Sequence, residues 1–264
     1  MKIGYMQVAP MLGDRDATLR KIDSLMAVGR QADILVLPEL CNSGYNFESR
    51  EQALALSEPV GDSVFLRHLE KICCRDRMHI VAGMNEQAGG RLYNTSVLVG
   101  PNGVIGKYRK IHLFMNEPDY FEPGDAGLSV YDIGACRIGM LVCFDWVFPE
   151  VWRILALQGA DVICHPSNLV LPGFAQRAVP VQAMMNRVFV VTANRVGTEG
   201  ELTFTGLSTI ADVGGEVLQR GSQTGEEVGI VEIDVSQARD KMMTPRNDVL
   251  GDRRPDEYGR LLDS

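Results

Sequence analysis

Several things are missing from this 264-residue chain, and each absence removes a class of function. No run approaches the roughly 20 apolar residues that a bilayer-spanning helix needs. There is no Cys-x-x-Cys pair, and the four histidines (His68, His79, His112, His165) show no metal-ligand spacing, so no metal site is expected. No glycine-rich phosphate loop occurs, and Asp212-Val213-Gly214-Gly215 reads as a hairpin turn rather than a nucleotide site. A basic surface is also lacking. The net charge of −8 argues against nucleic acid as a partner, because phosphate binding needs clustered Lys and Arg. The opening Met1-Lys2-Ile3-Gly4-Tyr5-Met6 enters a strand pattern without a long apolar segment, so the expected location is cytoplasmic. The six cysteines are then expected as free thiols, with Cys136, Cys143 and Cys164 inside apolar runs.

What remains is a chain with 45% hydrophobic and 23% charged residues, enough to bury a large core. Short apolar strands alternate with amphipathic helices. Strands are predicted over 2–9, 33–37, 78–84, 92–99, 104–113, 137–142, 161–164, 188–193, 206–212 and 228–233. Helices are predicted over 17–29 and 175–187, after a cap at Asp62 or Ser63, and from Pro149 onward. No linker or charge run divides the chain, which reads as one domain, 1–264. Two pieces look duplicated. Ala32-Asp33-Ile34-Leu35-Val36-Leu37-Pro38 is similar to Ala160-Asp161-Val162-Ile163-Cys164-His165-Pro166, and Lys2-Ile3-Gly4-Tyr5-Met6 to Arg137-Ile138-Gly139-Met140-Leu141. Such a repeat implies two similar sheet halves packed together with helices outside.

Three residues stand out chemically. Cys143 follows an apolar strand and precedes Pro149, which favours a tight strand-to-helix turn like that of other hydrolase nucleophiles. A nearby helix N-terminus would favour its thiolate, and the backbone N–H groups of the turn could hold an oxyanion. The alternative is an inert buried thiol. Glu39 ends the run Ile34-Leu35-Val36-Leu37-Pro38, where partial desolvation suits a general base; a surface carboxylate is the other reading. In Lys107-Tyr108-Arg109-Lys110-Ile111-His112-Leu113, strand alternation puts Tyr108, Lys110 and His112 on one face. Lys110 could there stabilise negative charge, or simply belong to a solvated edge strand. Glu117 could be a second carboxylate that positions substrate or Lys110, or a polar loop residue in an acidic stretch.

Taken together, Leu37-Pro38-Glu39, Lys107 to Leu113, and Cys143-Phe144-Asp145-Trp146-Val147-Phe148-Pro149-Glu150 resemble the nitrilase superfamily of carbon–nitrogen hydrolases. The resemblance extends through Phe121-Glu122-Pro123-Gly124-Asp125, Ala193-Asn194-Arg195-Val196-Gly197 and Phe204-Thr205-Gly206-Leu207-Ser208. It implies a four-layer α-β-β-α sandwich, usually a homodimer, with no cofactor. It also implies that Cys143 is the nucleophile, Glu39 the general base, Lys110 the stabiliser of the tetrahedral intermediate and Glu117 a second glutamate. Tyr45, Phe144, Trp146 and Asn168 are the expected substrate-binding residues, and the tail 246–264 is expected to pack on a partner subunit. The Cys143 segment is similar to archaeal nitrilase-like and amidase members. It carries Val147 where many ω-amidase-like and D-carbamoylase-like members have an Arg for an anionic substrate group. The expectation is therefore an amidase on small aliphatic amides, with a nitrilase or an N-carbamoyl amine amidohydrolase as alternatives. A catalytically silent binding member of the fold is the reading from a different class.

Overall fold

The structure is a computed structural model, and it describes residues 1–262. The last two residues of the expected tail, 263–264, lie outside the described residues. In chain order the first half comprises β1 (Lys2–Gln7), α1 (Arg15–Gly29), β2 (Ile34–Val36), α2 (Arg50–Ala55), α3 (Val64–Asp76), β3 (His79–Ala88), β4 (Arg91–Gly100) and β5 (Gly103–Arg109). The second half has β6 (Val130–Asp132), β7 (Arg137–Met140), α4 (Pro149–Leu157), β8 (Val162–Ser167), α5 (Phe174–Asn186), β9 (Phe189–Asn194), β10 (Thr198–Glu199), β11 (Leu202–Thr203), β12 (Thr209–Ala211), β13 (Val217–Arg220) and β14 (Glu227–Glu232). The tail adds α6 (Ser236–Arg239), β15 (Met242–Thr244) and β16 (Asn247–Asp248).

Two six-stranded sheets result, ordered β14-β1-β2-β3-β4-β5 and β13-β12-β9-β8-β7-β6. They share one topology. In the first, β1, β2 and β3 run parallel, β4 and β5 follow antiparallel, and β14 closes antiparallel against β1. In the second, β7, β8 and β9 run parallel, β12 and β13 follow antiparallel, and β6 closes antiparallel against β7. The similar sequence pieces thus fall on matching strands, β1 with β7 and β2 with β8.

Strand alternation assigns the layers. Ile3, Tyr5, Ile34, Val36 and Val81 face the second sheet, where they join Ile138, Val162 and Val190. The intervening Met6, Leu35, Ile80 and Ala82 face α1 and α3, which contribute Ile22, Met26, Leu69 and Ile72. On the far side, Trp152 and Leu155 of α4 and Val179 and Ala183 of α5 cover the second sheet. This is the four-layer α-β-β-α sandwich: two amphipathic helix layers seal two sheets that are apolar on both faces. All six cysteines are free, and all but Cys74 are buried.

Local chemistry explains the boundaries. Ser63, not Asp62, caps α3, its hydroxyl accepting from Leu66 N–H at 3.0 Å. The strand expected over 206–212 shrinks to Thr209–Ala211, because Gly206 and Leu207 both have φ of 57°, in the left-handed region. The strand expected over 104–113 ends at Arg109. Lys110 N–H still bonds the Asn94 carbonyl at 2.8 Å, and then the chain bends away. The directions of Lys110 and His112 are therefore set by that bend rather than by the pleat that the alternation argument assumed.

Candidate active site

Glu39 leaves the carboxyl end of β2 through Pro38 and precedes Leu40, whose φ of 47° is costly for a side-chain-bearing residue. Strand β3 passes directly beneath. A Cβ on Gly83 would lie 2.4 Å from the Glu39 Cα and 2.8 Å from the Pro38 carbonyl oxygen, so only glycine permits this approach. Lys110 stands at the bend after β5, and Glu117 opens the 3-10 turn that folds back over it.

These three side chains form one buried ionic cluster. Lys110 Nζ donates to Glu39 Oε1 at 2.8 Å and to Glu117 Oε1 at 2.7 Å. Asn94 Nδ2 donates to Glu39 Oε1 at 2.7 Å, and the Tyr45 hydroxyl to Glu117 Oε1 at 2.9 Å. Glu39 Oε2 is buried without a hydrogen-bond partner among the described residues. Burial alone would push the Lys110 pKa down, but Glu117, Glu39 and Cys143 outweigh it and hold the ammonium charged. Glu117 is pushed up, by burial first and also by Glu39, against the pull of Lys110.

Cys143 sits beyond β7 at the start of a 3-10 turn, Cys143–Val147, with φ of 42°. Two buried groups hold this strained elbow. Asp145 Oδ2 accepts from Val142 N–H at 2.9 Å and from the Tyr108 hydroxyl at 2.8 Å, while its Oδ1 lies 2.8 Å from His112 Nδ1. His165 Nε2 donates to the Cys143 carbonyl at 2.8 Å, and its Nδ1 accepts from the Thr192 hydroxyl at 3.0 Å. The carbonyl partner assigns the proton to Nε2. Burial lowers the His165 pKa, which keeps the ring neutral.

The four expected substrate contacts fall around this cluster. Phe144, Trp146 and Asn168 line a narrow pocket of ≈ 10 Å³ with Cys143, about room for one water. Tyr45 lines an adjoining recess with Glu117. Asn168 reaches the cluster from the second sheet, its Nδ2 donating to the Glu39 carbonyl at 3.0 Å. Val170 and Leu171 border both the Cys143 pocket and a broad outer depression of ≈ 850 Å³.

The family model described as carbon-nitrogen hydrolase matches residues 2–241. The chain belongs to the carbon–nitrogen hydrolase family. Among its relatives is a protein named nitrilase from Pyrococcus abyssi, 46% identical over 98% of this chain and 100% of that one. An (R)-stereoselective amidase from a Pseudomonas species is 36% identical over 96% of this chain and 92% of its own. Among solved structures, a carbon-nitrogen hydrolase from Helicobacter pylori superposes with a TM-score of 0.87 at 26% identity, covering 99% of this chain and 98% of that one.

In this carbon–nitrogen hydrolase one electrostatic expectation needs correcting. The Cys143 thiol is not made acidic by its turn: burial, then Glu39, raises its pKa well above the usual cysteine value, and Lys110 only partly offsets this. Cys143 is therefore a buried thiol held protonated beside the Glu39 carboxyl group, not a resting thiolate. Sequence reasoning also passed over Asn94, Asp145 and His165. A trace was present for His165, a polar residue directly after the apolar run Val162-Ile163-Cys164, since such a residue needs a buried partner; Asn94, in the polar run Asn94-Thr95-Ser96, gave none.

The contact at Gly83 yields a test. Gly83→Ala should displace Glu39 and lower kcat/KM by on the order of a hundredfold, as a 1 Å misplacement can. The overpacking should also cost about 1–3 kcal/mol in urea unfolding. Unchanged turnover in the variant would show that this strand contact does not set the position of Glu39.

Proposed function

We propose that this enzyme is an amidase acting on small, neutral or weakly polar aliphatic amides through a thioester at Cys143. The observation that carries the reading is the buried, unpartnered Glu39 Oε2 in electrostatic contact with a thiol held protonated. Glu39 accepts the Cys143 proton as sulfur attacks the amide carbon. Lys110 and the Phe144 N–H stabilise the oxyanion, with no reorganisation needed because Lys110 is already fixed. Glu39 returns the proton to the departing ammonia, then takes one from the water that cleaves the thioester and restores the free thiol. Glu117 keeps Lys110 in place. The residues lining the Cys143 pocket carry no fixed charge, and Val147 offers no cation, which favours a neutral acyl group over a carboxylate-bearing one.

A nitrilase acting on small aliphatic nitriles is the second reading. It is favoured by the 46% identical relative of that name. A thioimidate and then the same thioester would form on the same residues. An N-carbamoyl amine is a third substrate type that this set can serve.

Cys143→Ala should abolish ammonia release, Glu39→Gln should lose most of it, and Lys110→Ala should cost on the order of 3 kcal/mol or more of transition-state stabilisation. Retained turnover in Cys143→Ala would remove it as the nucleophile. One acyl group presented as amide, nitrile and N-carbamoyl derivative separates the readings. The amide should show the highest kcat/KM, and a clear excess for the nitrile would hand the assignment to the second reading.

We further infer a cytoplasmic, single-domain enzyme whose tail packs on a partner subunit in a homodimer. Leu261 and Leu262 are 67% and 89% exposed, and they border an apolar groove of ≈ 670 Å³ with Ile154 of α4 and Met185 of α5. Such a surface is costly to leave in water. Size-exclusion chromatography with light scattering should give at least the dimer mass; a monomer at all concentrations refutes the interface.

A further inference from the structure

Remote segments converge on one carboxylate that lies outside the cluster around Lys110. Glu199, in β10, is 8% exposed. Its Oε1 accepts from Arg195 Nη1 at 2.7 Å, and its Oε2 accepts from the backbone N–H groups of Tyr45 and Asn46, each at 2.9 Å. The Asn46 side-chain amide completes the grip by donating to the Glu199 carbonyl at 3.1 Å. Arg195 is fixed in turn. It is 1% exposed, donates from Nη2 to the Pro10 carbonyl at 3.0 Å, and lies 4.1 Å above the Phe204 ring. Gly44, with φ of 85°, lets the loop lie this close, since a Cβ there would meet the Leu12 Cα at 2.6 Å and Glu199 Oε1 at 3.0 Å.

The gripped segment is the one whose phenol reaches Glu117. Phe204, beneath the Arg195 guanidinium, also packs edge-on against the Tyr45 ring at 5.9 Å. Tyr45 is thus held twice, by its backbone through Glu199 and by its ring through Phe204. Burying an ion pair costs several kcal/mol per charge before the pairing is counted. Here the pair's free carboxylate oxygen is spent wholly on the backbone of this one loop.

We propose that Glu199, clamped by Arg195, is a positioning residue of the hydrolase: it sets the Tyr45 hydroxyl on Glu117, the carboxylate that pairs with Lys110. This rests on the reading of Lys110 and Glu117 as parts of the catalytic machinery. The groups facing Glu117 are Lys110 from the end of β5, Glu39 from the end of β2, Cys143 from the elbow and Tyr45 from its loop. Burial, with Glu39 adding to it, pushes Glu117 up to about 7 even though the charge and hydrogen bond of Lys110 and the hydrogen bond of Tyr45 pull it down. Tyr45 remains a donor throughout, because burial and then Glu117 hold its own pKa well above the usual value. Removing the Tyr45 bond therefore raises Glu117 further. Glu117 then ionises only at higher pH, and the acidic limb of kcat/KM moves upward.

The experiment compares wild type, Tyr45→Phe, Glu199→Gln and the double variant. It reads kcat/KM for ammonia release against pH and, independently of any substrate, the pH dependence of Cys143 alkylation by iodoacetamide. Each single variant should move the acidic inflection to higher pH, so that activity falls about tenfold more at pH 6 than at pH 8.5. The double variant should move it no further, because both changes break one chain of contacts. Should Glu199→Gln fail to fold, Arg195→Lys keeps the charge but loses the fork, and should give the same shift at smaller amplitude. A loss that is equal at every pH, an unmoved inflection, or shifts that add in the double variant would overturn the proposal. Wild-type protein that releases ammonia from no amide, nitrile or carbamoyl compound would overturn the hydrolase reading instead, and the alkylation profile would still decide the role of Glu199.

Discussion

A lysine ammonium with no exposed surface survives only where carboxylates meet it, and the arrangement around Lys110 follows from that requirement. Two carboxylates lie within 2.8 Å of its nitrogen. Each buried ion in such a region costs several kcal/mol before pairing is counted. Asn94, Tyr45 and the Phe114 N–H, which donates to Glu117 Oε2 at 3.2 Å, add neutral donors to the two carboxyl groups. Each donor comes from a different part of the chain. The requirement to keep one cation charged in the core therefore fixes β4, the loop after β2 and the turn after β5 relative to one another.

The two matched sheets provide the place where this is possible. Their parallel strands end on the same side of the sandwich, so Glu39 after β2 and Cys143 after β7 emerge close together, as ligand-binding groups do at strand carboxyl ends. Both exits carry a non-glycine residue in the left-handed region, Leu40 and Cys143. Such strain persists only where surrounding contacts over-determine it. Gly83 and its neighbours do so for the first exit, and Asp145 and His165 for the second.

Charge and shape then divide the labour. On the proposed reading, the ionic cluster would treat an amide, a nitrile and a carbamoyl group alike, because all three need one nucleophile, one proton carrier and one fixed cation. Selection among them would then fall to the apolar walls beside Cys143 and to the rim formed by Val170 and Leu171. These walls carry no chemistry of their own.

Local patterns in the sequence were enough for the long strands and helices, the matched halves, the main turns, and the three motifs bearing Glu39, Lys110 and Cys143, but not for the short elements α2, α6, β6, β10, β11, β13, β15 and β16. Period-2 and period-3.6 burial, proline before a helix and glycine in a turn act over a few residues, so they are legible without a fold. Where a strand had to stop was less legible: the ladder of β5 ends at Arg109 because the chain turns to bring Glu117 back over Lys110, a tertiary demand. Only the packed sandwich decided that Asn94 meets Glu39, that His165 holds the Cys143 carbonyl, and that Glu199 takes the N–H of Tyr45 across 154 positions of sequence. Those partners are polar residues whose surroundings look ordinary in one dimension. Their pairing follows from which sheet edges and loops are pressed together once the apolar faces are buried, and no local period encodes it.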